Sequence, residues 1–542
     1  MAEKKQGKRI RFESWKYPHR TEQGQEILAG MMKMGSPIAS REGALARLVY
    51  DQLGIRAEPL SKDGLLAEIN LTTDFLVQKW EKAVDSEGKQ ITNQYGEPVR
   101  KLGTEIGDVH HRVINHIYGM SWPQNGLWNL RGVLSHPVIN QRGEYVIRNG
   151  LYWRERDVNG TMVRIPEINL ADGYDGVSQC FYAVPDRVRA ALAGIETLKP
   201  ADADVIAALE CIDDFFCDFT FATKSAKASA VAFMLTMLCR SVMGKIVPML
   251  EIRAPQTQSG KTKLASMMLW AVTGEHPDMF SPTFRNNEEF EKELFTHLFE
   301  GRNYIFMDNV KGTVESAFLD MALTGGQVRK RLLAMNKSAT VYAGMPFVMT
   351  ANNPKLSEDI KNRIYLLDIL KPPAGKKFVH DDPEEYAREA GPGMVRSLFV
   401  LYNHWDQNCG RKLYKERRIE GYIPWSERAG GMLQAAGIEG FLDDTLKQIN
   451  EIDPKLEQAA DMAQAWYEAY GGDGKTAKEI LAFTVKAGYA KEDDTEPSKI
   501  QKSAAQLERL RMVKLPGGYH FERNEDGSRH TLWRVVKDGS GS

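Results

Sequence analysis

Residues 246–270 read IVPMLEIRAPQTQSGKTKLASMMLW, and the parsing of this stretch decides the fold. Met249, Leu250 and Ile252 make a short, mostly apolar strand. The loop that follows ends in Gly260-Lys261-Thr262, after which Leu264, Met267, Met268 and Trp270 recur on a helical pattern. A strand, a phosphate-sized loop and a helix opening at Gly-Lys-Thr form a P-loop. The chemistry needs each part. Loop N–H groups from Thr257, Gln258, Ser259 and Gly260, with the helix N-terminus, point at phosphate where the macrodipole favours negative charge. Gly260 lets the backbone come close, Lys261 neutralises phosphate charge, and the Thr262 hydroxyl ligates Mg²⁺. One position departs from the pattern: the first glycine of G-x-x-x-x-G-K-[ST] falls at 255, where the chain has Pro255.

Working outward, Tyr304-Ile305-Phe306-Met307-Asp308-Asn309 is an apolar strand ending in an acid, where a P-loop fold keeps its second Mg²⁺ ligand, here Asp308. Phe347-Val348-Met349-Thr350-Ala351-Asn352-Asn353 is a third buried strand, ending in amides. Three apolar runs with polar ends, separated by helical patterns, imply an α/β fold. Its parallel sheet would carry the site at the strand ends.

At 542 residues the chain exceeds one core and suggests several domains. A net charge of −1 excludes a global field for polyanions, so nucleic-acid contact must come from local patches. The five cysteines have neither zinc-site spacing nor the density of a disulfide scaffold, and read as reduced thiols of a cytoplasmic protein. No apolar run reaches the roughly 18 residues of a membrane span.

The first 20 residues are basic and interleaved with Phe12, Trp15 and Tyr17, which suits either a nucleic-acid contact or a solvated tail. Residues 1–100 read as mainly helical, with one helix over 42–53 ending at Gly54, and 80–104 as a polar linker. Residues 105–204 read as a mixed α/β accessory domain with hairpins around Gly143 and Asn159-Gly160. The apolar run 228–239 reads as the buried helix before the first sheet strand.

The series APQTQSGKT, FMDNVKG, GGQVRKRLLAMNKSATVYAGMPFVMTANNP and LSEDIKNRIYLLDI resembles, in order and spacing, superfamily-3 AAA+ helicases. It is most similar to the ATPase modules of phage and plasmid primase–helicases. The resemblance covers roughly residues 205–450. It implies an AAA+ core at 205–400, ATP and Mg²⁺ as cofactors, and a ring, a hexamer first of all. Single-stranded or forked DNA would be its substrate and a replication protein a further partner. It also implies roles. Asp308 would hold Mg²⁺, Asn352 would be the amide that reads the γ-phosphate (Asn353 the fallback), and Arg363 the arginine finger reaching a neighbour's site. Asn309 stands where many relatives have the water-activating Glu. An amide is no general base, so either Asn309 orients the water or Glu300 or Glu315 serves.

The same resemblance makes 327–333 and 338–343 a hairpin before the Phe347 strand, with Lys337 at its tip on DNA phosphate and Arg329, Lys330 and Arg331 at its base. Such contacts need placed cations and no sequence readout. Residues 401–470 read as a helical segment. Residues 473–538 read as a winged-helix-like domain, whose second helix gathers Lys499, Lys502 and Arg509 on one face for DNA or for protein. No acidic triad for nucleotidyl transfer stands in residues 1–200. The reading is thus a replicative helicase of a phage or mobile element. Its rival is a non-motor AAA+ scaffold that assembles with ATP and recruits a partner.

Overall fold

Met249–Arg253, Ile305–Val310, Phe347–Ala351 and Ile364–Leu370 are strands because each is a run of apolar residues too short for a helix and buried on both faces. In the computed structural model they lie parallel, in the order Ile364–Leu370, Met249–Arg253, Phe347–Ala351, Ile305–Val310. Thr220–Phe221 adds an antiparallel edge beside Ile364–Leu370. The structure describes residues 10–13, 16, 19–41, 43–52, 54–120, 122–158, 161–256, 258–331, 338–352, 354–373, 375–450, 454–511, 513–525 and 531–537.

Helices cover both faces of the sheet. Phe290, Leu294 and Leu298 of helix Asn287–Glu300, with Leu319 and Leu323 of helix Ala317–Gly325, pack on Met249, Met307, Met349 and Leu366. On the other side, helix Lys261–Thr273 lies against the long helix Pro383–Asn403. They approach so closely at Gly391 that a Cβ there would stand 2.6 Å from the Ala271 carbonyl oxygen. Helix Lys224–Cys239 is buried almost all round, as its apolar run 228–239 predicts. Four parallel strands thus end on one edge, with Arg253, Ala351 and Asp308 at or near their C-terminal ends.

The chain divides into residues 1–446, which hold this sheet, and residues 447–542. Among the described residues no helix is long and apolar enough to cross a membrane.

The N-terminal hundred residues depart from their reading. The helix expected over 42–53 is strand Ala44–Asp51, paired with Ile38–Arg41 and Gly54–Pro59. Leu45 enters a core with Ile27, Leu28 and Met31, while Ala46 and Leu48 enter another with Ala57, Val133 and Phe181. Burial on both faces erased the period-two alternation that marks a strand, and Gly54 (φ +85°) makes a strand turn instead of ending a helix. The linker expected at 80–104 is a projecting arm. Thr73–Lys82 and Arg100–Ile106 pair antiparallel, and bridges continue through Val84–Gln90 and Thr92–Pro98. It is polar because both of its faces meet water. The basic tail is anchored: Ile10–Glu13 pairs with Thr73–Leu76, and Phe12 is buried against the Phe75 ring at 5.2 Å, so it offers no stacking platform to a nucleic acid. Trp15 and Tyr17 lie outside the described residues.

In residues 447–542, helix Pro454–Tyr470 belongs to the core, Trp466 packing on Phe521 at 5.7 Å beside Leu507 and Trp533. The reading that joined this helix to the segment after the ATPase is corrected by that burial. Helix Leu481–Lys486, helix Glu496–Arg509 and strands Tyr519–Glu525 and Thr531–Lys537 follow. The first helix is shorter than expected over 476–487.

Candidate functional site

The loop between the Met249–Arg253 strand and its helix is shaped by two left-handed residues, Gln258 (φ +58°) and Gly260 (φ +88°). Pro255 is not one of them. The glycine of the common pattern is therefore dispensable here, because this loop turns later in the sequence. Glycine suits position 260 because of that φ, while a Cβ there would meet the Phe219 ring at an ordinary 3.4 Å. Ser259 is buried and Gln258 exposed; Thr257 lies outside the described residues.

At the helix start, Lys261 is nearly buried, and its ammonium donates to the Asn352 amide oxygen at 2.6 Å and to Ser259 Oγ at 3.5 Å. Burial lowers its pKa, opposed by the Asp308 charge. Thr262 Oγ1 donates to Asp308 Oδ1 at 2.7 Å. Five side chains from two strand ends and one helix start, counting Thr350, converge here.

Thr350 is the residue that sequence reasoning missed. Its hydroxyl donates to Asp308 Oδ1 at 2.6 Å and accepts the Asn309 amide N–H at 2.8 Å. Pairing between the Ile305 and Phe347 strands slips at this point, from Met307↔Met349 to Val310↔Ala351. Asp308 and Asn309 thus form a bulge opposite Thr350, with Asn309 left-handed at φ +55°. Asn tolerates that conformation better than most residues, and bulges re-aim side chains beside sites. The available signal was a lone hydroxyl in the otherwise apolar run VMTA.

The donors fit a hard cation and a phosphate chain: a hydroxyl and a carboxylate oxygen side by side, with an ammonium and an amide adjacent. Lys261, Thr262, Asp308 and Asn352 are brought together as expected from sequence. Asn309 is exposed at the same edge, and Asn353 lies outside the described residues. Glu300 is excluded as a base. It ends helix Asn287–Glu300, before the start of the Ile305 strand, and pairs with Arg302 at 2.8 Å, at the far edge of the sheet. Glu315 is exposed just beyond the Thr313–Val314 strand, past the strand ends.

Arg363 is at the far edge too. Its carbonyl accepts from Met249 N at 2.9 Å, and its guanidinium ion-pairs with Asp320. A five-residue strand at about 3.3 Å per residue separates it from the loop of its own chain. It does not reach Lys261.

The hairpin forms as read, Gln327–Arg331 pairing with Ser338–Tyr342, and Val328, Ala339 and Val341 are buried. Arg329 is exposed. Lys330 pairs with Glu291 at 3.0 Å and lies over the Phe318 ring at 5.2 Å. The Arg331 side chain and Lys337 lie outside the described residues. In residues 447–542, Lys499 donates to the Glu492 carbonyl at 2.5 Å and Lys502 to both Asp494 oxygens at 2.8 Å. Arg509 is exposed, and among the described residues no intramolecular contact of its side chain is seen. Arg529 and His530 lie outside the described residues.

No protein family and no curated protein matches the sequence. Among solved structures, the apo C-terminal region of NrS-1 aligns over 94% of this chain and 98% of its own, at 11% identity and a TM-score of 0.40. The active helicase Cch of SCCmec type IV aligns over 91% and 89%, at 11% identity and 0.28. The JCV helicase bound to a thiazolopyridine-containing acetamide aligns over 47% of this chain and 77% of its own, at 16% identity and a TM-score of 0.23.

Proposed function

We propose that the chain is an ATP-dependent nucleic-acid motor, a ring-forming DNA helicase of a phage or mobile element. The observation that carries the reading is the convergence of Lys261, Thr262, Asp308, Thr350 and Asn352 on one edge of a parallel sheet, the arrangement that phosphoryl transfer requires. Bound Mg²⁺ would supply charge neutralisation at the phosphates; Thr262 and Asp308 would hold it, and the loop N–H groups of residues 257–260 would cradle the phosphates. Lys261 exchanges the Asn352 oxygen for phosphate oxygen, which frees the Asn352 amide to report on the γ-phosphate. Thr350 keeps the Asp308 carboxylate aimed while that exchange occurs. Asn309 orients the attacking water, with Glu315 as the base of the alternative route.

Arg363, remote from its own loop, acts on the neighbour's γ-phosphate in a hexameric ring; Asp320 holds it until that contact is offered. Single-stranded DNA is gripped by the hairpin through Lys337, with Arg329, Lys330 and Arg331 at its base. Lys499, Lys502 and Arg509 form a secondary contact to DNA or to a replication protein. Strand displacement from a forked DNA by the full chain, with ATP and Mg²⁺, tests the reading. Unwinding that stops in Lys261→Ala supports it. ATP-driven oligomerisation and ATP hydrolysis without any displacement would favour the scaffold.

A further inference from the structure

At the N-terminal edge of the same sheet, opposite the P-loop, lies a cavity of about 600 Å³. Its floor comes from residues that precede the strands, Lys245, Asn303 and Met345, and its roof from residues 131–182. Six cationic side chains line it: Arg131, Arg240, Lys245, Arg302, Arg411 and Arg428. Among its described lining residues there is no carboxylate. That imbalance is unusual in a chain whose acidic and basic residues nearly cancel.

Two of the six are neutralised from outside the cavity, Arg302 by Glu300 and Asp278 and Arg411 by Asp406. Arg240 is not. Its guanidinium is buried and donates to the carbonyls of Gly344, Gly244 (2.5 Å) and Lys245 (2.5 Å) and to the Tyr342 hydroxyl at 3.4 Å. Those partners satisfy its N–H groups with neutral oxygens and leave its charge without a counter-charge. Burial depresses its pKa, and no carboxylate stands among the causes. A buried cation in that state is costly unless an anion approaches. Among the described residues Arg428 is seen to donate to the Pro424 carbonyl, at 3.2 Å, while Arg131 and Lys245 are exposed at the rim. His136 adds no charge: burial pushes it down to about 4, and its Nδ1 accepts the Asn303 amide at 2.9 Å.

We propose that this cavity is a second anion site, which takes the phosphate chain of a nucleotide, either free or at the end of a nucleic-acid strand. Its volume falls within the ~300–1,000 Å³ of ligand pockets. Uncompensated cations at Arg131, Arg240, Lys245 and Arg428 match a multiply charged chain of phosphates better than a single carboxylate, and guanidinium forks suit phosphate oxygens. The Tyr342 hydroxyl that touches Arg240 ends the second hairpin strand, so occupancy of the cavity reaches the base of the hairpin.

The site stands on the far edge from Lys261 and does not rest on the hydrolase reading. The test uses the full chain carrying Lys261→Ala, titrated calorimetrically with sodium tripolyphosphate, with ATP and with an oligo-dT strand carrying a 5′-triphosphate. Tripolyphosphate is expected to bind, and reversing both rim charges (Arg131→Glu with Lys245→Glu) to weaken it about tenfold or more at unchanged thermal midpoint. Competition by ATP alone identifies a free nucleotide as the ligand, and competition by the oligonucleotide a strand end. No binding of any of the three probes, or equal affinity in the charge-reversed chain, overturns the proposal. Hydrolysis that survives Lys261→Ala would sink the P-loop reading and leave this one standing.

Discussion

The two edges of one sheet handle charge in opposite ways. At the C-terminal edge the converging side chains are paired with one another across elements: Lys261 on Asn352, Thr262 and Thr350 on Asp308. At the N-terminal edge the partners of Arg240 are neutral, three carbonyls and the Tyr342 hydroxyl, and Arg131, Lys245 and Arg428 line the same cavity, whose described lining holds no acid. On the proposed reading the first edge would exchange its contacts for phosphate at little cost, because each bond lost is replaced by another. The second carries an unbalanced charge that only a ligand relieves. A site can therefore be ready for an anion either by being self-satisfied and exchangeable or by being left uncompensated.

The largest effect that would break this comparison is at Lys261. Lys261→Ala removes the charge that faces phosphate, so ATP hydrolysis is expected to fall to background, with weaker ATP binding in a filter or fluorescence assay. Turnover at the wild-type rate would end the assignment of the C-terminal edge.

Next in size is Arg363→Ala. Since Arg363 sits at the far edge of its own sheet, ATP binding is expected to survive, while turnover drops by roughly 10³ or more, the range for arginine fingers. Mixing with Lys261→Ala chains should restore some activity at mixed interfaces. A dead mixture, under conditions where subunits demonstrably exchange, refutes action in trans.

Between the edges lies Glu251, in the strand that leads to the P-loop. It is fully buried, no hydrogen-bond partner of its carboxylate is found among the described residues, and burial pushes it from 4.5 up to about 7. The folded state therefore holds the proton more tightly than the unfolded one. Its cost is absent below the ordinary carboxyl range and grows as pH rises from about 4.5 through about 7. Glu251→Gln is expected to raise stability at pH 8 by a few kcal/mol, about 3 at most, and to change it little at pH 4.5. An equal shift of the thermal midpoint at both pH values would show that the carboxyl charge is not the cause.

The smallest effect sharpens the DNA side. Lys337→Ala should leave basal hydrolysis and assembly intact while lowering DNA stimulation. It should also make the salt dependence of single-strand binding shallower by about one phosphate contact per engaged subunit. Lys337→Glu should be worse. If both unwind like wild type while Arg509→Glu abolishes binding, the grip belongs to residues 447–542.

What the amino-acid order determined by itself was local. Strand, loop and helix around Gly260-Lys261-Thr262 are contiguous, and so are Asp308 and Asn352 with their apolar runs, so their patterning needs no distant partner to be read. The basic hairpin was legible for the same reason. Tertiary structure alone decided whatever depends on what lies opposite. Residues 44–51 became a strand because two cores claim its two faces, which hides the alternation. Lys330, Lys499 and Lys502 look alike in sequence to cations free for DNA, yet each is held by a carboxylate or carbonyl. Thr350 acquired its role from a bulge two strands away from the P-loop, and Arg240 its unbalanced charge from segments more than a hundred residues distant. Charge, burial and hydrogen bonding are properties of a neighbourhood, and the neighbourhood exists only once the chain has folded.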